Sequence, residues 1–346
     1  MSFSSDLIQW YHASHRSLPW RETRNPYYIW ISEVILQQTQ VVQALDYYEM
    51  LITHFPTVQH MAEASEEDLL HIWQGLGYYS RARNMHATAK NLMQRFNGHF
   101  PSDYHTLLSL KGIGPYTAAA ISSFAFELPY PVIDGNVLRV MSRYAGITEP
   151  VDSRVGRKQV EETLHALFDS EQPSAFNQAI MELGALICKP SSPLCHQCPV
   201  RQGCYAWAHQ RTSQLPVKRP KKATRNRFLH YLLIDHKNHY LLRKRTENDI
   251  WRNLHEFPLI ELPFAIEDEQ AILEYLPFKS DNITRPPSFI KALKHQLSHQ
   301  SLYVRFYQQS ISFFDPPAPF FWVHKSALKD YSMPVILRRF TDTLIS

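Results

Sequence analysis

The chain has 346 residues, is 44% hydrophobic and carries a formal net charge of +4. That length can bury substantial cores and favours two domains over one. No apolar run reaches a membrane span and residues 1–10 lack a charged-then-apolar leader, so a cytoplasmic protein is expected; the modest charge does not by itself prove a nucleic-acid partner. In chain order, the first two thirds read as helices. Asn25-Pro26 is a cap followed by proline at the first helical position, and one mostly apolar helix is predicted from there to about residue 51. Helical periodicity continues over residues 64–73, 80–96, 102–110, 115–126, 136–144, 157–168 and 175–187. Every glycine precedes Cys204, and most of them fall at the joints between these segments. Lys218, Arg219, Lys221, Lys222, Arg225 and Arg227 then fall in a stretch with two prolines and no acid. Such a basic, extended linker is either a soluble tether or a phosphate contact. Beyond it, residues 228–234, 240–245 and 302–309 read as strands, and 267–275 and 335–344 as helices. The expected architecture is an all-α domain over 1–211, a linker over 212–227, and a smaller α+β domain over 228–346.

All four cysteines lie close together, Cys188, Cys195, Cys198 and Cys204, spaced C-x6-C-x2-C-x5-C. Thiolates clustered this way serve as metal or cluster ligands rather than disulfide partners. Zinc sites commonly bring two C-x2-C arms and this loop has one, which favours an iron–sulfur cube over zinc. Upstream, Leu110-Lys111-Gly112-Ile113-Gly114-Pro115-Tyr116 joins two helices. Its glycines suit either a plain helix–turn–helix joint or a hairpin whose backbone N–H groups, at the next helix start, meet a phosphate. Asp134-Gly135-Asn136 places a carboxylate at a helix entrance, where capping and catalysis can coexist. Glu33 sits among apolar neighbours in Trp30-Ile31-Ser32-Glu33-Val34-Ile35-Leu36. Desolvation there would oppose ionisation and suit a general acid, although a salt-bridged helix glutamate has the same local pattern. Two acids from different helices can flank a glycosidic bond, one protonating the leaving group and one facing the sugar cation.

Together with Leu18-Pro19-Trp20, Gln37-Gln38-Thr39-Gln40, Gly75-Leu76-Gly77-Tyr78-Tyr79 and residues 176–184, these motifs form an ordered series along nearly the whole chain. The series resembles the helix-hairpin-helix DNA glycosylases with an iron–sulfur loop, specifically the MutY-type adenine glycosylases. The resemblance implies a monomeric, nucleoid-associated enzyme of base excision repair. It would hydrolyse the glycosidic bond of adenine mispaired with 8-oxoguanine or guanine in double-stranded DNA. A 4Fe-4S cluster would sit in the loop 188–204 on Cys188, Cys195, Cys198 and Cys204, with Lys189 and Arg201 turned toward phosphates. Glu33 would protonate adenine N7 and later activate water, Asp134 would stabilise the oxocarbenium sugar, Asn136 would orient Asp134, and Glu182 would line the adenine pocket. Lys111, Gly112 and Gly114 would hold the DNA backbone. Gln38 and Tyr78 would enter the base stack during base extrusion, although a Tyr-Tyr pair also suits packing and a helical Gln is commonly solvated. Endonuclease III-like members carry a lysine two residues after the second hairpin glycine; here Tyr116 stands there. Without an amine no Schiff base forms, so the resemblance implies a monofunctional glycosylase.

The C-terminal part resembles the MutT-like domain through which MutY enzymes recognise 8-oxoguanine. From Tyr205 onward there is no glycine and no Arg-Glu-x-x-Glu-Glu box, so this domain is expected to bind a base and hydrolyse nothing. Leu297-Ser298-His299 would be its lesion-reading loop, with Ser298 on the damaged guanine and His299 on the backbone or base edge; both also suit an ordinary strand edge. Leu297 replaces the phenylalanine of several members, and residues 253–258 follow a stretch where glycines are common. Three other readings are an enzyme for thymine or oxidised pyrimidines, a non-catalytic DNA-binding protein, and a MutT-like hydrolase. Tyr116 and the long C-terminal domain weigh against the first, Glu33 and Asp134 against the second, and the absent box against the third.

Overall fold

A computed structural model describes residues 2–220, 224–278, 283, 285–312 and 314–345. Its contacts divide the chain into two units, Met1–Glu63 with Asn84–Pro220, and Ala64–Arg83 with Lys221–Ser346. In chain order the helices are α1 (Phe3–Ser14), α2 (Pro26–Ile35), α3 (Val41–His54), α4 (Val58–Glu63), α5 (Glu66–Ile72), α6 (Ser80–Phe96), α7 (Tyr104–Leu108), α8 (Pro115–Phe126), α9 (Gly135–Ala145), α10 (Arg154–Leu167), α11 (Pro173–Leu186) and α12 (Tyr205–Ala208). α5 and the start of α6 belong to the second unit.

The single helix expected from residue 25 to about 51 is two helices. After α2 the chain turns through residues 36–40 with Gln38 at φ 64, a left-handed conformation that cannot continue a right-handed helix. Gln38 therefore stands on a turn, not on a helix. α1, which periodicity did not reveal, opens with a capping box between Ser2 and Ser5 and buries Phe3, Leu7, Ile8 and Tyr11. These join Val137, Val140 and Met141 of α9, Val160 and Leu164 of α10, and Phe176, Ile180 and Leu183 of α11 in one core. α11 comes so near the start of α9 that a Cβ on Gly184 would stand 2.5 Å from the Asn136 Cβ. α2 packs on α8, whose buried Thr117, Ala118, Ala119 and Ala120 permit close approach. Those packings bring the sequence-distant acids toward one place.

Part of the expected linker is held against the first unit. Leu215 is 2% exposed, Val151 N–H donates to Val217 O at 3.0 Å, and Arg219 N–H donates to Asp152 at 3.1 Å. Lys221 and Lys222 lie outside the described residues. Arg225 and Arg227 are in a strand rather than a linker.

The second unit is built on a mixed sheet of β1 (Arg225–His236), β2 (His239–Lys244), β3 (His255–Glu256), β4 (Leu259–Leu262), β5 (Ser288–Gln296), β6 (Gln300–Ser310) and β7 (Phe320–His324), followed by α13 (Val335–Ile345). The strand order is β3-β2-β1-β6-β5, with β4 added on β1 and β7 on β2. β1 and β6 run parallel, and β5 and β6 are antiparallel with Gln296 opposite Ser301, so residues 297–299 form the turn between them. β3, β4, β5 and β7 are not among the expected strands, although the Phe320–Val323 run of β-formers after three prolines marks β7, and the helix expected over 267–275 is a 3-10 helix, Glu269–Tyr275. Leu232, Ile234, Leu241, Ile260, Ile272 and Tyr307 form the core. Within this unit the 64–83 segment is fastened by a Glu67–Lys244 ion pair at 3.3 Å and by the Tyr79 hydroxyl on Met333 O at 3.4 Å. Among the described residues no helix is long and apolar enough to cross a membrane.

Candidate active site

Glu33 lies near the C-terminal end of α2 and is 3% exposed. Burial pushes its carboxyl up to about 7, helped by the charge of Asp134 and opposed by a hydrogen bond from Tyr116 and the charge of Arg21. Tyr116, in the first turn of α8, donates its phenol O–H to Glu33 Oε2. Asp134 caps α9. Its Oδ1 accepts from Val137 N–H and its Oδ2 from Asn136 Nδ2, both at 2.7 Å. Burial raises the Asp134 carboxyl, while these two donors and Arg139 act in the other direction by favouring the carboxylate. The arrangement sets an acid that titrates near neutrality beside a carboxylate held by donors, a pair suited to proton donation and cation stabilisation.

Glu33, Tyr116, Asp134, Asn136 and Glu182 line one pocket of about 190 Å³. Glu182, from α11, is fully buried. Burial alone would push its carboxyl up, but Arg16 and Arg21 override that and hold it at about 2. Arg16 donates from Nε at 2.8 Å and Nη2 at 2.5 Å, and Arg21 from Nη2 at 2.7 Å. Sequence reasoning does not reach these arginines; they stand beside Leu18-Pro19-Trp20, but only the fold brings them to Glu182. Arg139 is a third such residue. It donates to Asn136 Oδ1 and Gly184 O, each at 2.8 Å, and to Cys188 O at 2.7 Å. The amide that orients Asp134 is thereby tied to the first cysteine.

Cys188 and Cys198 pack against the core of the first unit. Arg143 Nη1 approaches Cys188 Sγ at 3.4 Å and also donates to Lys189 O at 2.7 Å. Burial pushes the Cys198 thiol up to about 12, and Cys188, Cys204 and Cys195 each add to the rise, so the four sulfurs feel one another. That burial keeps a lone thiol protonated; a soft metal or cluster would displace the proton, and four cysteines are a donor set that fits one. Among the described residues no three His, Cys, Asp or Glu side chains are placed to hold a single metal ion. A cube gives each thiolate its own iron, so the sulfurs need not converge on one point. Arg201 lies over the Trp207 ring at 5.8 Å.

At the hairpin, Gly112 has φ 81, and a Cβ there would stand 2.5 Å from the Asn84 Cβ, so glycine is required. Gly114 caps α8 and faces open space. Both line a groove with Gln38, Tyr116, Asp134, Asn136, Arg139, Arg157 and Lys218. Lys111 is exposed, and its carbonyl accepts from Thr88. Tyr78 is in the second unit, 47% exposed at φ 47, and its hydroxyl is hydrogen-bonded to that of Ser298. Gln38 and Tyr78 thus both present a side chain from a left-handed backbone position, which is strained for any residue but glycine. Leu297 N–H donates to Gln300 O at 2.8 Å, and His299, exposed, accepts at its carbonyl from Arg225 N–H at 3.2 Å.

Residues 31–168 match the HhH-GPD superfamily of base excision DNA repair proteins, and residues 230–343 match the NUDIX domain. The chain is 35% identical over 317 residues to an adenine DNA glycosylase of Buchnera aphidicola (subspecies Schizaphis graminum), covering 90% of this chain and 88% of that protein. Among solved structures, a thermostable thymine-DNA glycosylase matches 60% of this chain and 95% of its own, with TM-score 0.56 and 25% identity. An endonuclease III–DNA complex matches 60% of this chain and 94% of its own, with TM-score 0.52 and 26% identity.

Proposed function

The chain belongs to the adenine DNA glycosylase family, and from that premise we propose that it removes adenine opposite 8-oxoguanine or guanine in double-stranded DNA by hydrolysis, without strand cleavage. The observation that carries the reading is the buried Glu33, titrating near 7, in one pocket with the donor-held carboxylate of Asp134. In its protonated form Glu33 transfers its proton to adenine N7 as the glycosidic bond breaks and the bonding electrons leave with the base. The Asp134 carboxylate faces the resulting oxocarbenium ion, held in place by Asn136 and Val137 N–H. Glu33, now ionised, takes a proton from water as the hydroxyl adds to the sugar, which restores the acid. Glu182, kept ionised by Arg16 and Arg21, has both oxygens occupied by their donors, so its part is to hold those two arginines at the wall of the pocket that receives the adenine. Tyr116 supplies no amine, which leaves hydrolysis as the outcome.

Cys188, Cys195, Cys198 and Cys204 would hold a 4Fe-4S cluster, whose part is to tie the loop together and supply positive charge beside the thiolates. The groove that carries Gly112, Gly114, Arg157 and Lys218 is suited to the phosphate backbone. The turn at Ser298, with the Tyr78 hydroxyl against it, is the reading element for the base opposite the adenine. The direct test is Glu33→Gln. Excision should fall by a factor on the order of 10³ or more while affinity for the same mispaired duplex is kept. Equal loss of binding and excision would make Glu33 structural and remove the basis of the mechanism.

A further inference from the structure

Two side chains outside the catalytic pocket converge on the turn between β5 and β6. Gln296, the last residue of β5, spans the turn with its amide. Its Nε2 donates to Leu297 O at 2.9 Å and to Gln300 O at 3.2 Å, and its Oε1 accepts from the buried Ser301 hydroxyl at 2.8 Å. On the far side, Gln300 Oε1 accepts from Arg227 Nη1 at 3.0 Å. Arg227 is 4% exposed, although it falls in a basic run that the sequence presents as a linker. Its Nε and Nη2 reach Glu261 at 2.6 and 2.7 Å, and its Nη1 and Nη2 reach Asp249 at 3.1 and 2.5 Å. With Gln300, all five guanidinium N–H donors are engaged, so this arginine is fixed from both sides.

We propose that Gln296 and Arg227 are positioning residues for recognition of the base opposite the adenine, acting by holding the turn that presents Ser298. The inference rests on the reading of residues 297–299 as the lesion-reading loop. A hydroxyl that separates two bases by one hydrogen bond depends on its angle as much as its distance. Ser298 sits on a short exposed turn whose own backbone contributes one hydrogen bond across its mouth, Leu297 N–H to Gln300 O. Gln296 occupies carbonyls that would otherwise leave the turn free to change shape, and Arg227 anchors the first residue after it to the interior of the sheet. Discrimination between 8-oxoguanine and guanine is thus set partly by residues that touch neither base.

The test compares adenine release opposite 8-oxoguanine and opposite guanine, at enzyme concentrations below saturation, in the full-length protein. Gln296→Glu removes the donors of the clamp. Gln300→Leu detaches Arg227 from the turn without breaking its ion pairs, and Gln300→Glu keeps an acceptor for it. The preference for 8-oxoguanine should fall about threefold in Gln296→Glu and in Gln300→Leu, and should be retained in Gln300→Glu, with thermal stability and release opposite guanine close to wild type. Ser298→Ala is the control for the premise. If Ser298→Ala lowers the preference while Gln296→Glu and Gln300→Leu leave it intact, the bracing role is overturned and the loop reading stands. If Ser298→Ala leaves the preference unchanged, the loop reading fails and the bracing role with it.

Discussion

Glu33 and Tyr116 make the mechanism testable through pH. Burial brings the Glu33 carboxyl from 4.5 up to about 7, so the proton needed for excision is present below neutrality and is lost as pH rises through that value. In the sub-saturating regime, where the rate reports the free enzyme, excision should drop about tenfold between pH 6 and pH 8. Tyr116 donates to Glu33 and favours its charged form, so Tyr116→Phe leaves burial less opposed. A hydrogen bond to a charged group contributes about 1.5 kcal/mol or more, so the alkaline limb should move about one unit toward higher pH. The assay is adenine release from an 8-oxoguanine mispair, measured with wild type and variant across the neutral range. A limb that stays in place or moves to lower pH would show that the phenol does not act on the Glu33 carboxylate. A flat wild-type profile through pH 7 would take proton transfer from Glu33 out of the excision step.

The same burial has a consequence for stability. A carboxyl raised on folding destabilises the folded state as pH climbs from its unfolded value of 4.5 through about 7, and the penalty is complete above that. Glu33→Gln should therefore gain about 3 kcal/mol over wild type between pH 4 and pH 8, measured by chemical unfolding at both; an equal difference at the two pH values contradicts the buried acid. Arg21→Leu leaves the buried Glu182 short of a partner and should destabilise by on the order of 3 kcal/mol, with Glu182→Gln added on the same chain recovering part of the loss in thermal melts. No recovery would mean that the arginine acts through packing alone. Cys198→Ser should lose the yellow-brown absorbance of an iron–sulfur protein together with most DNA affinity; a colourless, active wild type containing zinc would refute the cluster.

What could be read from the chain alone is what depends on near neighbours. The apolar flanks of Glu33 announce its desolvation within one helical turn, Asp134-Gly135-Asn136 carries its own capping logic, and the cysteines are clustered by spacing. The partners of Glu182 could not be read, because Arg16 and Arg21 lie 166 and 161 residues away. The break after α2 was hidden because Gln38 takes a left-handed backbone with no adjacent glycine or proline to mark it. β5 is an exposed edge strand whose lysines break the alternation of a half-buried strand, so it gave no periodic signal. Arg227 has linker composition around it, and only Asp249 and Glu261, brought near by the sheet, turn it into a buried residue.

The most direct measurement is single-turnover release of adenine from three duplexes that pair it with 8-oxoguanine, guanine or thymine. Release from the first two, with strand breaks that appear only after alkali and with the thymine pair untouched, is the expected result. No release from any of them by protein that binds DNA, or strand breaks without alkali, would contradict the account of a hydrolytic adenine glycosylase.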